Sequence, residues 1–441
     1  MFNIKRMKIL FVEVVWVPGR KKLPFFQSLL LSSMSIYPTL QARTYASATP
    51  DEHEVYLVNE RFDRIDFDGD HDVVHINFVT PVAPRAYEIA DIFREKGKRV
   101  VMSGLHPSAL PDEAIRHADS VLVGRDELMW VKLLDDLEKG KMKKFYLSRS
   151  KINPENIPRI RVRSKQPLTL VDAVEATRGC VYRCAFCQDS HVCGDFVKRN
   201  VDDVIEEIRT FPRKALLFYD LSLTIDVDYT KELFARMKEL NKRFACCGNI
   251  EVLYRDDELL RLASEAGCVS WLVGFESFNQ KNLISVGKGS NRVEMYRDAV
   301  KRIHDYGMNV IGSFIFGFDE DDKNVFKESL DKIVSLDIDG ADFSILTPLP
   351  GTPLFRKLDE ERRIITRDWS LYDKKHVVFK PKKMKENELV EGVRWLAEEF
   401  YSPLESMKRA IRCLKIGLYP SLLTLMRAPI GRRTAPRGEM V

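Results

Sequence analysis

The sequence predicts an α/β protein in three parts: a doubly wound N-terminal domain, a partial (β/α)6 barrel and a helical C-terminal extension. Three observations predict this. Short apolar runs alternate with helical periodicity in two series, a basic proline-broken stretch separates the series, and three cysteines crowd together directly after the first apolar run of the second. At 441 residues the chain is about three times the ~150 residues of one domain. The expected boundaries are 1–138 for the first domain, 139–168 for the linker, 169–360 for the barrel and 361–441 for the extension. A chain 45% hydrophobic and 31% charged can build real cores, which argues against long disorder and against a polytopic membrane protein. A net charge of +5 is too mild at this size to suggest nucleic-acid binding.

In the first series the apolar runs are Lys8–Val15, Glu54–Asn59, Asp72–Val79, Arg99–Ser103 and Ser120–Gly124. Between the third and fourth, Arg85–Lys96 carries Tyr87, Ile89, Ala90, Ile92 and Phe93 at helical spacing. Strands that are apolar throughout, separated by helices, indicate a parallel sheet covered on both faces. Ligands of such sheets bind beyond the carboxyl ends of the strands. Those ends carry Thr80-Pro81, Gly104-Leu-His106-Pro-Ser108 and Gly124-Arg-Asp126-Glu127. The stretch Leu23–Leu40 is apolar, but serines interrupt it and Pro24 and Pro38 bound it, so neither an export signal nor a membrane span is expected there.

Residues 139–168 are basic and broken by Pro154, Pro158 and Pro167, as suits a linker, with room for a strand of its own. The second series then has strands at Asp172–Thr177, Ala215–Asp220, Phe244–Asn249, Ser270–Glu276, Asn309–Phe316 and Ala341–Leu346. Helical patterns fill the intervals at Val201–Phe211, Tyr229–Arg243, Asp256–Ala266, Arg292–Tyr306 and Asn324–Leu336. Repeated β/α units of this kind place an active site at the C-terminal ends of the strands. Beyond them, Met384–Tyr401 is an amphipathic helix with Leu389, Val393, Leu396, Ala397 and Phe400 on one face.

The sharpest chemical signal is the run Ala176-Thr-Arg-Gly179-Cys180-Val-Tyr-Arg-Cys184-Ala-Phe186-Cys187. Eight cysteines are too few for a disulfide scaffold, and clustering of three suggests metal or redox chemistry in a reducing compartment, hence a cytoplasmic protein. Thiolates are soft ligands suited to zinc or iron–sulfur. Three of them leave one iron of a four-iron cluster open. A closed zinc site would need a fourth ligand, which Cys193 or His191 would supply. Cys246, Cys247, Cys268 and Cys413 read as small core residues.

These residues resemble the radical SAM superfamily, whose hallmark is a C-x3-C-x-aromatic-C loop on the first barrel strand. Gly274-Phe-Glu276-Ser277 resembles its ribose-contacting motif, and Gly312-Ser-Phe-Ile-Phe-Gly317 and Thr347-Pro-Leu-Pro-Gly351-Thr-Pro are similar to its later strand ends. The resemblance implies that Cys180, Cys184 and Cys187 ligate a [4Fe–4S] cluster whose open iron takes the amino and carboxylate groups of S-adenosylmethionine. Phe186 would lie by the adenine, and Gly274, Glu276, Ser277 and Gly312 would contact the cofactor. One-electron reduction, from a donor such as ferredoxin or flavodoxin, would then release a 5′-deoxyadenosyl radical. The plainer alternatives are a helix cap for Glu276 and close packing for Gly312 and Gly317.

A doubly wound domain before such a barrel resembles the cobalamin-binding class of the superfamily. By that resemblance Thr80, Gly104, His106, Gly124 and Asp126 would surround the cofactor. The D-x-H-x-x-G signature of many cobalamin proteins is missing: Asp70-His71 lacks the spacing, and His106 follows a different strand. The alternative is a scaffold retained without cobalamin. The Thr347–Phe355 run, followed by Asp368-Trp-Ser-Leu-Tyr372-Asp and His376-Val-Val-Phe-Lys380-Pro, looks like hopanoid methylases and archaeal membrane-lipid-modifying members. That resemblance implies methylation or carbon–carbon bond formation at an unactivated carbon of an isoprenoid or other membrane lipid, with a peptide or soluble small molecule as the alternative substrate. The segment Lys408–Arg427, basic and rich in leucine, is too charged to span a membrane but suits peripheral contact with its inner face; the alternative is a helix packed back on the barrel.

Overall fold

The computed structural model describes residues 6–14, 40–60, 63–148, 154, 157–160, 171–192, 194–414, 417, 421 and 424–425. They form two compact units, residues 1–174 with 188–213, and residues 175–187 with 214–441. The stretch 15–39, Cys193 and most of the segment after Leu414 lie outside the described residues.

In the first unit the strands are β1 (Lys8–Glu13), β2 (Glu54–Asn59), β3 (Val73–Asn77), β4 (Arg99–Ser103), β5 (Ser120–Val123) and β6 (Phe145–Leu147). All are parallel, in the order β2-β1-β3-β4-β5-β6. The strands are apolar because both faces of the sheet are buried: Ile9, Phe11, Val73, Val101 and Leu122 pack with Trp130, Leu133 and Leu134 of helix Glu127–Glu138 in one core, and Leu10, Val12, Val74, Val100 and Val121, which alternate with them, are buried too. Strand β6 comes from the stretch whose sequence reads as a linker, and it pairs with β5 through Val121–Phe145 to Val123–Leu147. The order reverses between β1 and β3, the topological switch at which open parallel sheets take their ligands.

Helix Leu40–Ala48 is not visible in the sequence. Leu40, Ala42, Arg43, Thr44, Tyr45, Ala46 and Ser47 are all buried, so small and polar residues go inward with the apolar ones and no amphipathic stripe exists to read.

Gly104 shows why one glycine is required at the carboxyl edge. Its φ is +112°, and a Cβ there would stand 2.3 Å from the carbonyl oxygen of Phe78. Gly104→Ala should therefore lower unfolding free energy by on the order of 3 kcal/mol, from strain and backbone collision together, measured by chemical denaturation. A loss below about 0.5 kcal/mol would show that the loop has slack.

The second sheet runs in chain order through β7 (Val171–Val174), β8 (Ala215–Phe218), β9 (Arg243–Gly248), β10 (Cys268–Glu276), β11 (Asn309–Phe316) and β12 (Gly340–Ile345). From β8 onward each strand pairs parallel with the next. The intervening helices include Val227–Met237, Asp257–Ala266, Tyr296–Asp305 and Val325–Ser335. Asp226 and Asp256 cap the first two by accepting from Tyr229 N and Leu259 N. The Tyr229–Arg243 expectation runs too far: a 3-10 turn at Lys238–Leu240 ends that helix and Arg243 opens β9.

In the extension, helix Glu386–Phe400 buries Leu389, Val393, Leu396, Ala397 and Phe400, the face its periodicity predicts. Tyr401 then donates its hydroxyl to the Ala341 carbonyl on β12 at 2.6 Å. Among the described residues no helix is long and apolar enough to cross a membrane.

Candidate active site

The cysteine loop is anchored at its stem. Asp220, just past β8, is buried and accepts from the amides of Ala176 and Thr177 and from Thr177 Oγ1 at 2.7 Å. Burial pushes its carboxyl up to about 7 although three donors oppose the rise. Arg178 and Glu175 form a buried ion pair of 3.0 Å beside it. Gly179, with φ +81°, then turns the chain into the loop. Further on, Ala185 N donates to the Val286 carbonyl at 2.8 Å, and Leu354 N donates to the Ala185 carbonyl at 3.0 Å. The loop is thus tied both to the segment after β10 and to the proline-rich turn after β12.

Cys184 is buried, while Cys180 and Cys187 are half-buried, as is Phe186 between them. Burial pushes the Cys184 thiol up to about 11, Lys288 works against that push, and Cys187, Glu276 and Cys180 add to it. Lys288 is a candidate site residue that the sequence does not reveal. Its side chain is only 15% exposed and pairs with Glu276 at 2.5 Å. Burial works to lower its ammonium, but Glu276, Cys184 and Cys187 outweigh this and hold it above its ordinary value. The only signal in the sequence was a lysine flanked by Gly287 and Gly289.

Glu276 owes its position to an irregular strand end. The register between β10 and β11 shifts between Gly274 and Glu276, and Glu276 itself has φ +63°. A bulge of this kind re-aims a side chain, and a non-glycine residue in the left-handed region marks strain held by its surroundings. Gly274 makes the arrangement possible: a Cβ there would lie 2.4 Å from Glu276 Oε1 and 2.6 Å from Lys288 Nζ. Asn291 Nδ2 donates to the Gly274 carbonyl at 2.7 Å, and the Tyr296 hydroxyl donates to that of Phe275 at 2.9 Å.

Ser277 is buried next to Glu276, and its Oγ accepts from Asn279 N at 3.0 Å. Gly312 faces aromatic rings: a Cβ would meet Phe314 at 2.6 Å and Phe275 at 3.2 Å, so its bare α-carbon admits the stacked Phe275–Phe314 pair. Gly317 N donates to Asp321, which Asn282 also contacts at 2.7 Å.

Among the described residues no three histidine, cysteine or carboxylate side chains stand at metal-binding distance of one another. The donor chemistry nonetheless fits an iron–sulfur cluster, because three soft thiols share one anchored loop and two of them, Cys184 and Cys187, lie within electrostatic reach of Lys288. For the zinc alternative, Cys193 lies outside the described residues and His191 sits on the helix Asp189–Val192 of the first unit.

In the first unit the residues singled out at the carboxyl edge are mostly engaged in the domain itself. His106 is buried, with Nε2 3.1 Å from the Tyr87 hydroxyl and 3.3 Å from Glu113. Asp126 caps helix Glu127–Glu138 by accepting from Leu128 N. Gly124 N donates to Ser108 Oγ at 2.9 Å. Thr80 is buried and opens a 3-10 turn just past β3. What they present together is the backbone at three neighbouring strand ends, after β3, β4 and β5.

Residues 174–333 match the Radical SAM superfamily. Over 399 residues the chain is 33% identical to bacteriochlorophyllide d C-12(1)-methyltransferase of Chlorobaculum tepidum, covering 87% of this chain and 86% of that protein. It is 34% identical over 358 residues to the C-8(2)-methyltransferase of the same organism, covering 76% and 79%. The fold is shared with the radical S-adenosylmethionine methyltransferase TsrM from Kitasatospora setae, solved with cobalamin and a [4Fe–4S] cluster, at TM-score 0.63 and 16% identity over 81% of this chain and 78% of that one. It is shared also with the cobalamin-dependent enzyme OxsB, solved with aqua-cobalamin, at TM-score 0.67 and 15% identity over 96% and 72%.

Proposed function

We propose that this chain, which belongs to the radical SAM superfamily, is a cobalamin-dependent methyltransferase acting on an unactivated carbon of a bulky apolar molecule. The observation that carries the reading is the Glu276–Lys288 pair beside the Gly274 gap, facing Cys184 and Cys187. Both relatives named above are methyltransferases, and both solved neighbours contain cobalamin in at least one structure.

In this reading Cys180, Cys184 and Cys187 hold the cluster, which with S-adenosylmethionine and a one-electron reductant supplies a carbon radical able to take hydrogen from a strong C–H bond. The Lys288 ammonium would hold the carboxylate of S-adenosylmethionine, and the Glu276 carboxylate would accept from its ribose hydroxyls. Gly274 keeps that space open, Ser277 holds the turn behind it, and Phe186 covers the adenine. Cobalamin, as a methyl carrier, is held by the strand ends at Thr80, Gly104 and Gly124, with His106 and Asp126 shaping the edge from inside the domain.

For the substrate, a chlorin-type tetrapyrrole comes first, since both relatives carry bacteriochlorophyllide in their names. A membrane lipid is the second reading, favoured by the exposed apolar side of helix Pro403–Cys413. The test is anaerobic incubation of the reconstituted enzyme with trideuteromethyl S-adenosylmethionine, a reductant, and either bacteriochlorophyllide or lipid extract. A trideuteromethylated chlorin is expected. Methylated lipid alone would move the assignment to the second substrate, and labelled product from neither, with 5′-deoxyadenosine still formed, would contradict both.

A further inference from the structure

We propose that helix Pro403–Cys413 seats this protein on an anionic membrane surface. The helix is inverted relative to an ordinary packed one. Its polar side faces the protein: the Arg409 guanidinium lies 3.8 Å from the centre of the Phe400 ring, Arg412 Nη2 donates to the Asp337 carbonyl at 2.7 Å, and Cys413 Sγ donates to Asp339 at 3.2 Å. Its apolar side faces out, with Leu404 63%, Met407 56%, Ile411 60% and Leu414 53% exposed. Their spacing of three, four and three residues lines them along one face of the helix. A helix held to the protein by its arginines, with a continuous aliphatic stripe outward, is built to present that stripe to something apolar.

Charge selects the occupant. Residues 403–441 hold eight basic and two acidic side chains, net +6, against +5 for the whole chain, so the preceding 402 residues carry −1. Arg409 and Arg412 turn toward the protein, which leaves Lys408 and the five basic residues that follow Leu414 in the sequence as the positive charge offered beside the stripe. A second copy of the chain would bring two such segments together against their repulsion. A nucleic acid would satisfy the charge but leave four aliphatic side chains unused. Anionic headgroups above acyl chains satisfy both features.

The test is sedimentation of the full-length holoenzyme with vesicles of phosphatidylglycerol or of phosphatidylcholine alone, beside light scattering to read its oligomeric state. Binding to the anionic vesicles, weakened by added salt and reduced roughly tenfold or more by Leu404→Glu/Ile411→Glu, is the expected result. Both positions are exposed, so the variant should keep its melting temperature and its iron content. Equal binding by the variant, or no binding by the wild type, would overturn the proposal. So would a concentration-dependent dimer that the variant abolishes without any vesicle binding, since that assigns the stripe to a second copy. None of these outcomes depends on the cluster, cobalamin or the identity of the substrate.

Discussion

Replacing Cys184 with alanine should abolish 5′-deoxyadenosine formation. Cys184 is the buried member of the three thiols and sits between the backbone ties made by its neighbour Ala185 and the charges of Lys288 and Glu276. Its removal leaves two thiols on the loop, too few to hold a cluster that needs three and keeps one iron open. The expected readings are iron content well below that of the wild type after identical anaerobic reconstitution, and cleavage of S-adenosylmethionine at background level. The loop stem, tied through Asp220, Glu175 and Arg178, does not depend on the thiol, so the melting temperature of the cluster-free protein should change little. Substantial turnover in this variant would sink the assignment of the cluster to this loop.

The second large effect is expected at Lys288. Lys288→Met removes the cation that pairs with Glu276 and acts on two of the thiols, and leaves the Glu276 carboxylate buried beside them. Loss of a charge-assisted hydrogen bond is worth about 1.5–3 kcal/mol, so the Kd for S-adenosylmethionine should rise by roughly 10- to 100-fold. Calorimetry on the cluster-free protein and on the reconstituted protein reads this apart from turnover. Lys288→Arg should recover part of the affinity, because it restores the charge in a different shape. If Lys288→Met binds S-adenosylmethionine as tightly as the wild type and only melts earlier, the lysine is a structural partner of Glu276 and no more.

Much of this site was legible in the residues. The spacing of Cys180, Cys184 and Cys187 marks a candidate soft-metal loop, because ligands carried by one loop must sit close in sequence. Strands such as Asn309–Phe316 were legible because a run rich in apolar residues leaves few alternatives, although only the face of Val310, Gly312, Phe314 and Phe316 is fully buried. Lys288 was not, since a lysine between two glycines reads as exposed loop until the chain brings it against Glu276. The inversion of helix Pro403–Cys413 was equally hidden. Periodicity shows that it has two faces, but only Arg409 over Phe400 and Arg412 on Asp337 show which face turns in. The bulge at Gly274–Glu276 lies at a still finer level, because a one-residue shift of register leaves the apolar pattern of the strand unchanged.

The central claim, that a cluster-bearing barrel works here with a cobalamin-holding N-terminal domain, is tested most directly by metal and cofactor content. The full-length protein, expressed with cobalamin supplied and purified under strict anaerobiosis, is assayed for iron and for cobalamin. The account predicts about four irons and about one cobalamin per chain, with the iron lost in Cys184→Ala and the cobalamin retained. Four irons without cobalamin would contradict the methyl-carrier role and leave the parallel sheet of the first domain as scaffold. Zinc in place of iron would contradict the account at its root.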